Sequence, residues 1–146
     1  MRARETQGST WYELARCHVP VEDRCLWKAL VDKTEYPERY NDALNRAELL
    51  DHDAHIVVRR TWPALGEPYL EWIRHEASAT RVEYERRGHL FRRAQAVLET
   101  PEGLCLVYQV DDVEAACTQG GVDASHAGRV LRRLGRKART FAHRSA

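Results

Sequence analysis

Arg60, Glu71 and Tyr108 are the residues whose types suit acid/base chemistry on a small carbonyl compound. From His55 to Trp62 the chain alternates, with Ile56, Val58, Arg60 and Trp62 on one side and His55, Val57, Arg59 and Thr61 on the other. The first set holds the larger apolar pair and is read as facing inward, which takes Arg60 with it. Tyr69, Glu71, Ile73 and His75 alternate in the same way with Leu70, Trp72, Arg74 and Glu76, and apolarity alone does not choose between these two faces. Where Glu71 shares an apolar interior with Arg60, Gln95 and Tyr108, burial raises its pKa and the guanidinium lowers it. With desolvation dominant, Glu71 removes a proton next to a carbonyl at neutral pH, and Arg60 and Tyr108 hydrogen-bond the developing enolate oxygen. With the ion pair dominant, the same two residues only fix strand register.

Such side chains need a sheet to carry them and something to close over it. Strand-like runs are read at Ser9 to Val21, Arg46 to Leu50, His55 to Trp62, Tyr69 to His75, Arg81 to Arg86, Leu90 to Glu99 and Leu104 to Val113. Short turn segments such as Arg87-Gly88 and Thr100-Pro101-Glu102-Gly103 favour antiparallel neighbours. Val82 and Tyr84, then Arg93, Gln95 and Val97, then Leu104, Leu106, Tyr108 and Val110, are the inward sets of the last three strands. Between the first two strands, Asp23 is read as the cap of a short helix pairing Leu26 with Leu30 and Trp27 with Val31, and Pro37 stops or restarts it. At the C-terminus Ala127, Val130, Leu131, Leu134, Ala138 and Phe141 recur at helical spacing behind Asp123 as cap. That stripe must be buried against the sheet.

A chain of 146 residues has the size of one domain, and 23 Lys and Arg against 22 Asp and Glu give no global reason to expect nucleic acid or a membrane surface. The basic face of the last helix, Arg129, Arg132, Arg133, Arg136, Lys137 and Arg139, reads as a solvated face. Cys17, Cys25, Cys105 and Cys117 form no CxxC pair and read as buried free thiols, so no metal site is expected. Ser9, Ser78, Ser125 and Ser145 lack a nucleophile setting, and His75, His89 and His126 stand alone. The start has no apolar core of signal-peptide length, which gives the expectation of a cytoplasmic protein.

Four strings, CLWKALVDKTEYPERY, VVRRTW, YLEWI and ETPEGLCLVYQV, resemble the helix pair, the third and fourth strands and the last hairpin of small START-like SRPBCC proteins of biosynthetic gene clusters. The resemblance covers roughly residues 10 to 142. It implies an α+β helix-grip fold: a curved antiparallel seven-stranded sheet wrapped around a long C-terminal helix, with two short helices after the first strand. Residues 1–8 are then a flexible N-terminus and 9–146 a single domain. It also implies a ligand cavity between helix and sheet, and it places Glu71 on the cavity side. The expectation is a cofactor-independent polyketide cyclase, aromatase or dehydratase with Glu71, Arg60 and Tyr108 as catalytic residues. Trp62, Tyr69, Ile73, His75, Tyr84, Gln95, Leu106 and Leu134 would contact a small hydrophobic or aromatic ligand. The same cavity fits a noncatalytic carrier or sensor, and a collapsed interior fits a co-chaperone-like interaction module. A homodimer through sheet edges is compatible with this fold, and neither nucleic acid nor membrane is an expected partner.

Overall fold

Alternating runs become strands wherever one face can be buried, and here one sheet collects them all. The computed structural model describes residues 3–6 and 9–145. In chain order the elements are β1 (Ala3–Thr6), β2 (Ser9–His18), α1 (Asp23–Glu35), β3 (Leu44–His52), β4 (Ile56–Pro63), β5 (Tyr69–Glu76), β6 (Arg81–Arg86), β7 (Arg92–Thr100), β8 (Gly103–Val110), α2 (Val113–Gly120) and α3 (Ala124–Ser145). The strands form one antiparallel sheet in the order β1-β2-β8-β7-β6-β5-β4-β3. Register shifts between Glu13 and Ala15 in β2, and at Leu44/Arg46 and Leu49/Asp51 in β3, are the bulges that let such a sheet curve.

The seven strands read from the sequence are all present. An eighth, β1, lies in the stretch expected to be loose: Ala3 to Thr6 pair with Tyr12 to Ser9 along the β2 edge. Residues 1, 2, 7 and 8 of that stretch lie outside the described residues.

In α1 the residues Leu26, Ala29, Leu30, Lys33 and Thr34 are buried on one stripe, at the spacing that makes a single helix face. Asp23 is its first residue, with Glu22 in the cap position, and the second expected helix is a single 3-10 turn at Pro37–Arg39. The helix α2 was not expected. Asp112 caps it by accepting the Ala115 N–H at 3.0 Å, and Gly121, at φ 62°, ends it in the left-handed region. Asp123 then accepts the His126 N–H at 2.8 Å and starts α3.

Ala127, Val130, Leu131, Leu134 and Ala138 are buried where α3 packs on α1, β2 and β8. At Gly135 the helix approaches so closely that an added Cβ would lie 3.2 Å from Val19. Arg129, Arg132, Arg136 and Arg139 are exposed on the far side. Cys25 and Cys105 are buried, Cys17 is half-buried and Cys117 is exposed; all four are free thiols. No helix among the described residues is long and apolar enough to cross a membrane.

Candidate functional site

The strand register decides which side chains look inward, because directly paired residues share a face. Across β4, β5 and β6 the pairs Arg59↔Glu71, Val57↔Ile73, Ile73↔Tyr84 and His75↔Val82 all lie on the face turned to the helices. Gln95↔Tyr108 and Val97↔Leu106 continue that face into β7 and β8. Glu71, Ile73, Tyr84, Gln95, Leu106 and Tyr108 therefore face inward as expected, and all are buried. Tyr69 and His75 share the face at its half-buried margin, and Leu134 meets it from α3.

In β4 the expected face is wrong by one residue. Val57, Arg59 and Thr61 are the buried set; Arg60 is exposed and Trp62 lies on the outer face, with the Arg46 guanidinium 3.5 Å from its ring centroid. Arg60 is thus not an interior anchor and Trp62 not a cavity wall. Apolarity favoured Ile56 and Val58, but the polar alternatives Arg59 and Thr61 are buried because each finds partners that offset its desolvation.

Those partners define the site. One Arg59 nitrogen donates to Glu71 Oε1 at 2.6 Å, while its other terminal nitrogen donates to the carbonyls of Lys33 and Thr34 at 3.1 and 2.9 Å. Arg59 so satisfies two of the carbonyls that the end of α1 leaves open. Thr61 donates to the same Glu71 oxygen at 2.9 Å, and Arg93 donates to Oε2 at 2.6 Å. Glu71 is the only carboxylate among the fully buried described residues. Burial pushes its pKa up, but Arg59 and Arg93, with the hydrogen bonds from Arg59 and Thr61, outweigh burial and hold it at about 2. The carboxyl is a fixed anion at neutral pH and, stabilised in this way, a weak base.

Around it stands more positive than negative charge. Lys33, on the buried stripe of α1, has its ammonium 4.3 Å from the Tyr84 ring centroid, and Arg59 and Arg93 flank the same ring at 5.7 and 4.9 Å. Burial, and then the charges of Arg93 and Arg59, push the Lys33 pKa well below its ordinary value. For Arg93, burial opposes the charge and Glu71 more than restores it. Burial also raises Tyr84, Tyr108 and Tyr69, so these phenols keep their protons and can donate. The Tyr84 hydroxyl and both amide atoms of Gln95 are buried without a hydrogen-bond partner among the described residues. A buried polar atom left so costs about 1–3 kcal/mol, and a ligand oxygen accepting from the Tyr84 hydroxyl or the Gln95 Nε2–H would remove that cost for the donor it meets.

A surface cleft of about 690 Å³ between α1 and the β5 end is lined by Trp27, Val31, His55, Arg74, His75 and Glu76. His75 belongs to both worlds: its ring borders the cleft, and its inward face shares a rung with Val82, Gln95 and Tyr108. It is held by a 2.7 Å hydrogen bond to Thr34 Oγ1 and an edge contact with Trp27. A groove of about 170 Å³ involving Trp72, Arg74, Glu83 and Arg92 opens elsewhere, on the outer face of the sheet. No three His, Cys, Asp or Glu side chains among the described residues are grouped to hold a metal ion.

Sequence reasoning missed Lys33, Arg59 and Thr61. Lys33 left a readable signal: it falls at i+3 from Leu30 and i+4 from Ala29, on the helix's apolar stripe. Thr61 and Arg59 left none, since either face of β4 is a reasonable apolar face.

Against solved structures the chain matches at low identity. It covers 90% of itself and 99% of the Thermus thermophilus protein TTHA0849, with TM-score 0.63 and 13% identity. The di-domain ARO/CYC StfQ from the steffimycin biosynthetic pathway matches 92% of this chain with TM-score 0.60 and 15% identity. The chain spans 51% of the StfQ chain. Zhui aromatase/cyclase from Streptomyces sp. R1128 matches with TM-score 0.53 and 14% identity over 89% of this chain and 86% of that one. The fold is therefore a helix-grip fold, shared with these structures. No family model matches the sequence, and no curated protein sequence does.

Proposed function

We propose that this protein receives a small, carbonyl-rich or aromatic ligand between its helices and sheet and acts on it as a cyclase- or dehydratase-type enzyme. One observation carries this reading. The cluster sets buried Lys33 and Arg59 and partly buried Arg93 against one buried carboxylate, and leaves Gln95 and the Tyr84 hydroxyl unpartnered. Such surroundings favour an oxygen that gains negative charge, as a carbonyl oxygen does when a nucleophilic carbon of the same ligand adds to its carbon in a cyclisation. Arg93, Tyr84 and Tyr108 are the donors for it, and Glu71 is the fixed counter-charge that keeps Arg59 and Arg93 in place. The likeness in fold to two aromatase/cyclases supports the reaction class. The cleft beside Trp27 and His75 is the way in, opened when the His75–Thr34 hydrogen bond parts.

A second reading, a carrier of the same ligand, is favoured by the hydrogen bonding of Glu71, whose two oxygens are engaged by Arg59, Thr61 and Arg93 and so are not offered to a ligand proton. Native mass spectrometry with dihydroxyacetophenone and poly-β-ketone mimics separates the two. Retention followed by a product lighter by one water supports the enzyme, and retention with unchanged release supports the carrier. Absence of retention across the set overturns both.

A further inference from the structure

We propose that Lys33 is a nucleophile of the interior and captures the carbonyl carbon of its ligand as an imine. The inference rests on the reading above that a carbonyl compound enters this interior, and it names the covalent step. Position is the first argument. Lys33 occupies a helix position whose neighbours on the stripe, Leu26, Ala29 and Leu30, are core residues, and it is itself buried. A lysine usually runs its charged end out to water along its four-carbon stem; this one instead ends over the Tyr84 ring.

Partners are the second. The fully buried carboxylate is already taken by Arg59, Thr61 and Arg93, so it serves the guanidiniums, which cannot give up their charge. An amine desolvated in an apolar pocket and placed beside other cations is the arrangement that turns lysine into a free-amine nucleophile. The lowered proton affinity of Lys33 agrees with this geometry. The Arg59 hydrogen bonds to the Lys33 and Thr34 carbonyls fix the turn from which the amine projects.

The step balances without another reactant. The amine nitrogen adds to the carbonyl carbon while its proton passes to the carbonyl oxygen, giving a carbinolamine. That oxygen then leaves as water, the C–O bond breaks and a C=N bond forms. Nothing is oxidised or reduced, and water returns amine and carbonyl by the reverse path. Once protonated on nitrogen, the imine becomes an iminium that withdraws electrons more strongly than the ketone, which eases removal of a proton from the next carbon.

The test uses the whole protein and acetylacetone, a small diketone, with the exposed Lys28 and the half-exposed Lys137 as internal controls; these are the other lysines of the chain. Peptide mass mapping at neutral pH is expected to show one acetylacetone less one water on Lys33. The rate should exceed that at Lys28 roughly tenfold or more, because each unit by which an ammonium's pKa falls raises its free-amine fraction about tenfold. Lys33→Met should lose the adduct, whereas Lys28→Met, at an exposed position, should keep it. Labelling of Lys33 no faster than of Lys28 overturns the proposal. Diketone retained by the wild type without any covalent adduct overturns the imine and leaves the binding reading standing, whereas neither retention nor adduct overturns the two together.

Discussion

Replacing Glu71 by Gln keeps shape and one acceptor but removes the negative charge that Arg59 and Arg93 share at 2.6 Å each. Breaking a buried ion pair by removing one partner costs about 3–5 kcal/mol, since the remaining charge stays buried and uncompensated. The carboxyl's own proton affinity gives a second figure. Its fall from 4.5 to about 2 corresponds to roughly 3 kcal/mol of folded-state preference for the ionised form. The two routes agree on a loss of roughly 3 kcal/mol, or a drop in Tm of roughly 10 °C for a chain of this size. Because the folded-state value is the lower one, this stability is complete above the unfolded value near 4.5 and is lost as pH falls toward 2. Urea unfolding of wild type and Glu71→Gln from pH 7 to pH 2 checks both magnitude and window. The curves should stand apart at pH 7 and converge as the acid removes from the wild type what the mutation already removed. A variant as stable as the wild type at pH 7, with a parallel pH curve, refutes the view of Glu71 as a buried counter-charge.

Arg59→Met should cost about 3–5 kcal/mol, since it strands Glu71 and opens the end of α1, while Arg60→Ala should stay within about 0.5 kcal/mol; equal effects in urea unfolding would contradict the β4 orientation. Leu134→Ala should cost about 2–5 kcal/mol by opening a hole beneath α3, and a loss near zero in the same assay would mean that this face of the helix is not packed. His126, whose ring meets Tyr108 edge-on, is held by burial and by the charges of Arg93 and Lys33 at a pKa of about 4. Its NMR titration should show that midpoint, with stability falling as pH drops from 6.5 toward 4, and an ordinary midpoint near 6.5 would show the ring to be solvated.

Strand alternation and short turns were enough to read seven strands, and the helical stripe from Ala127 to Phe141 was enough to read α3. Tyr84, Gln95 and Tyr108 were legible as inward residues from the two-residue alternation of the sequence, although β8 is buried on both faces around Tyr108; Glu71 was placed inward only by the resemblance, since apolarity does not choose between the faces of its strand. The β4 face was not, because Arg59 is buried by its partners and not by its own character; Glu71 lies twelve residues away along the chain, and the α1 carbonyls twenty-five or more. An ion pair read as Arg60 with Glu71 was thus right in kind and wrong by one position. The helix α2 escaped because its caps, Asp112 and Gly121, flank only eight residues with a weak apolar stripe. Lys33 was visible in the helical spacing, had a charged residue on an apolar stripe been treated as a signal.

The most direct test of the central claim is an NMR titration of the protein, labelled at its Gln side-chain amides, Arg Nε–H groups and Trp indoles, with dihydroxyacetophenone. Saturable shifts of the Gln95 amide and Arg93 Nε–H, with the Trp72 indole on the outer face unmoved, are what a ligand oxygen entering the buried cluster predicts. Shifts confined to Trp72 and its neighbours, with Gln95 and Arg93 unchanged at saturation, would contradict it.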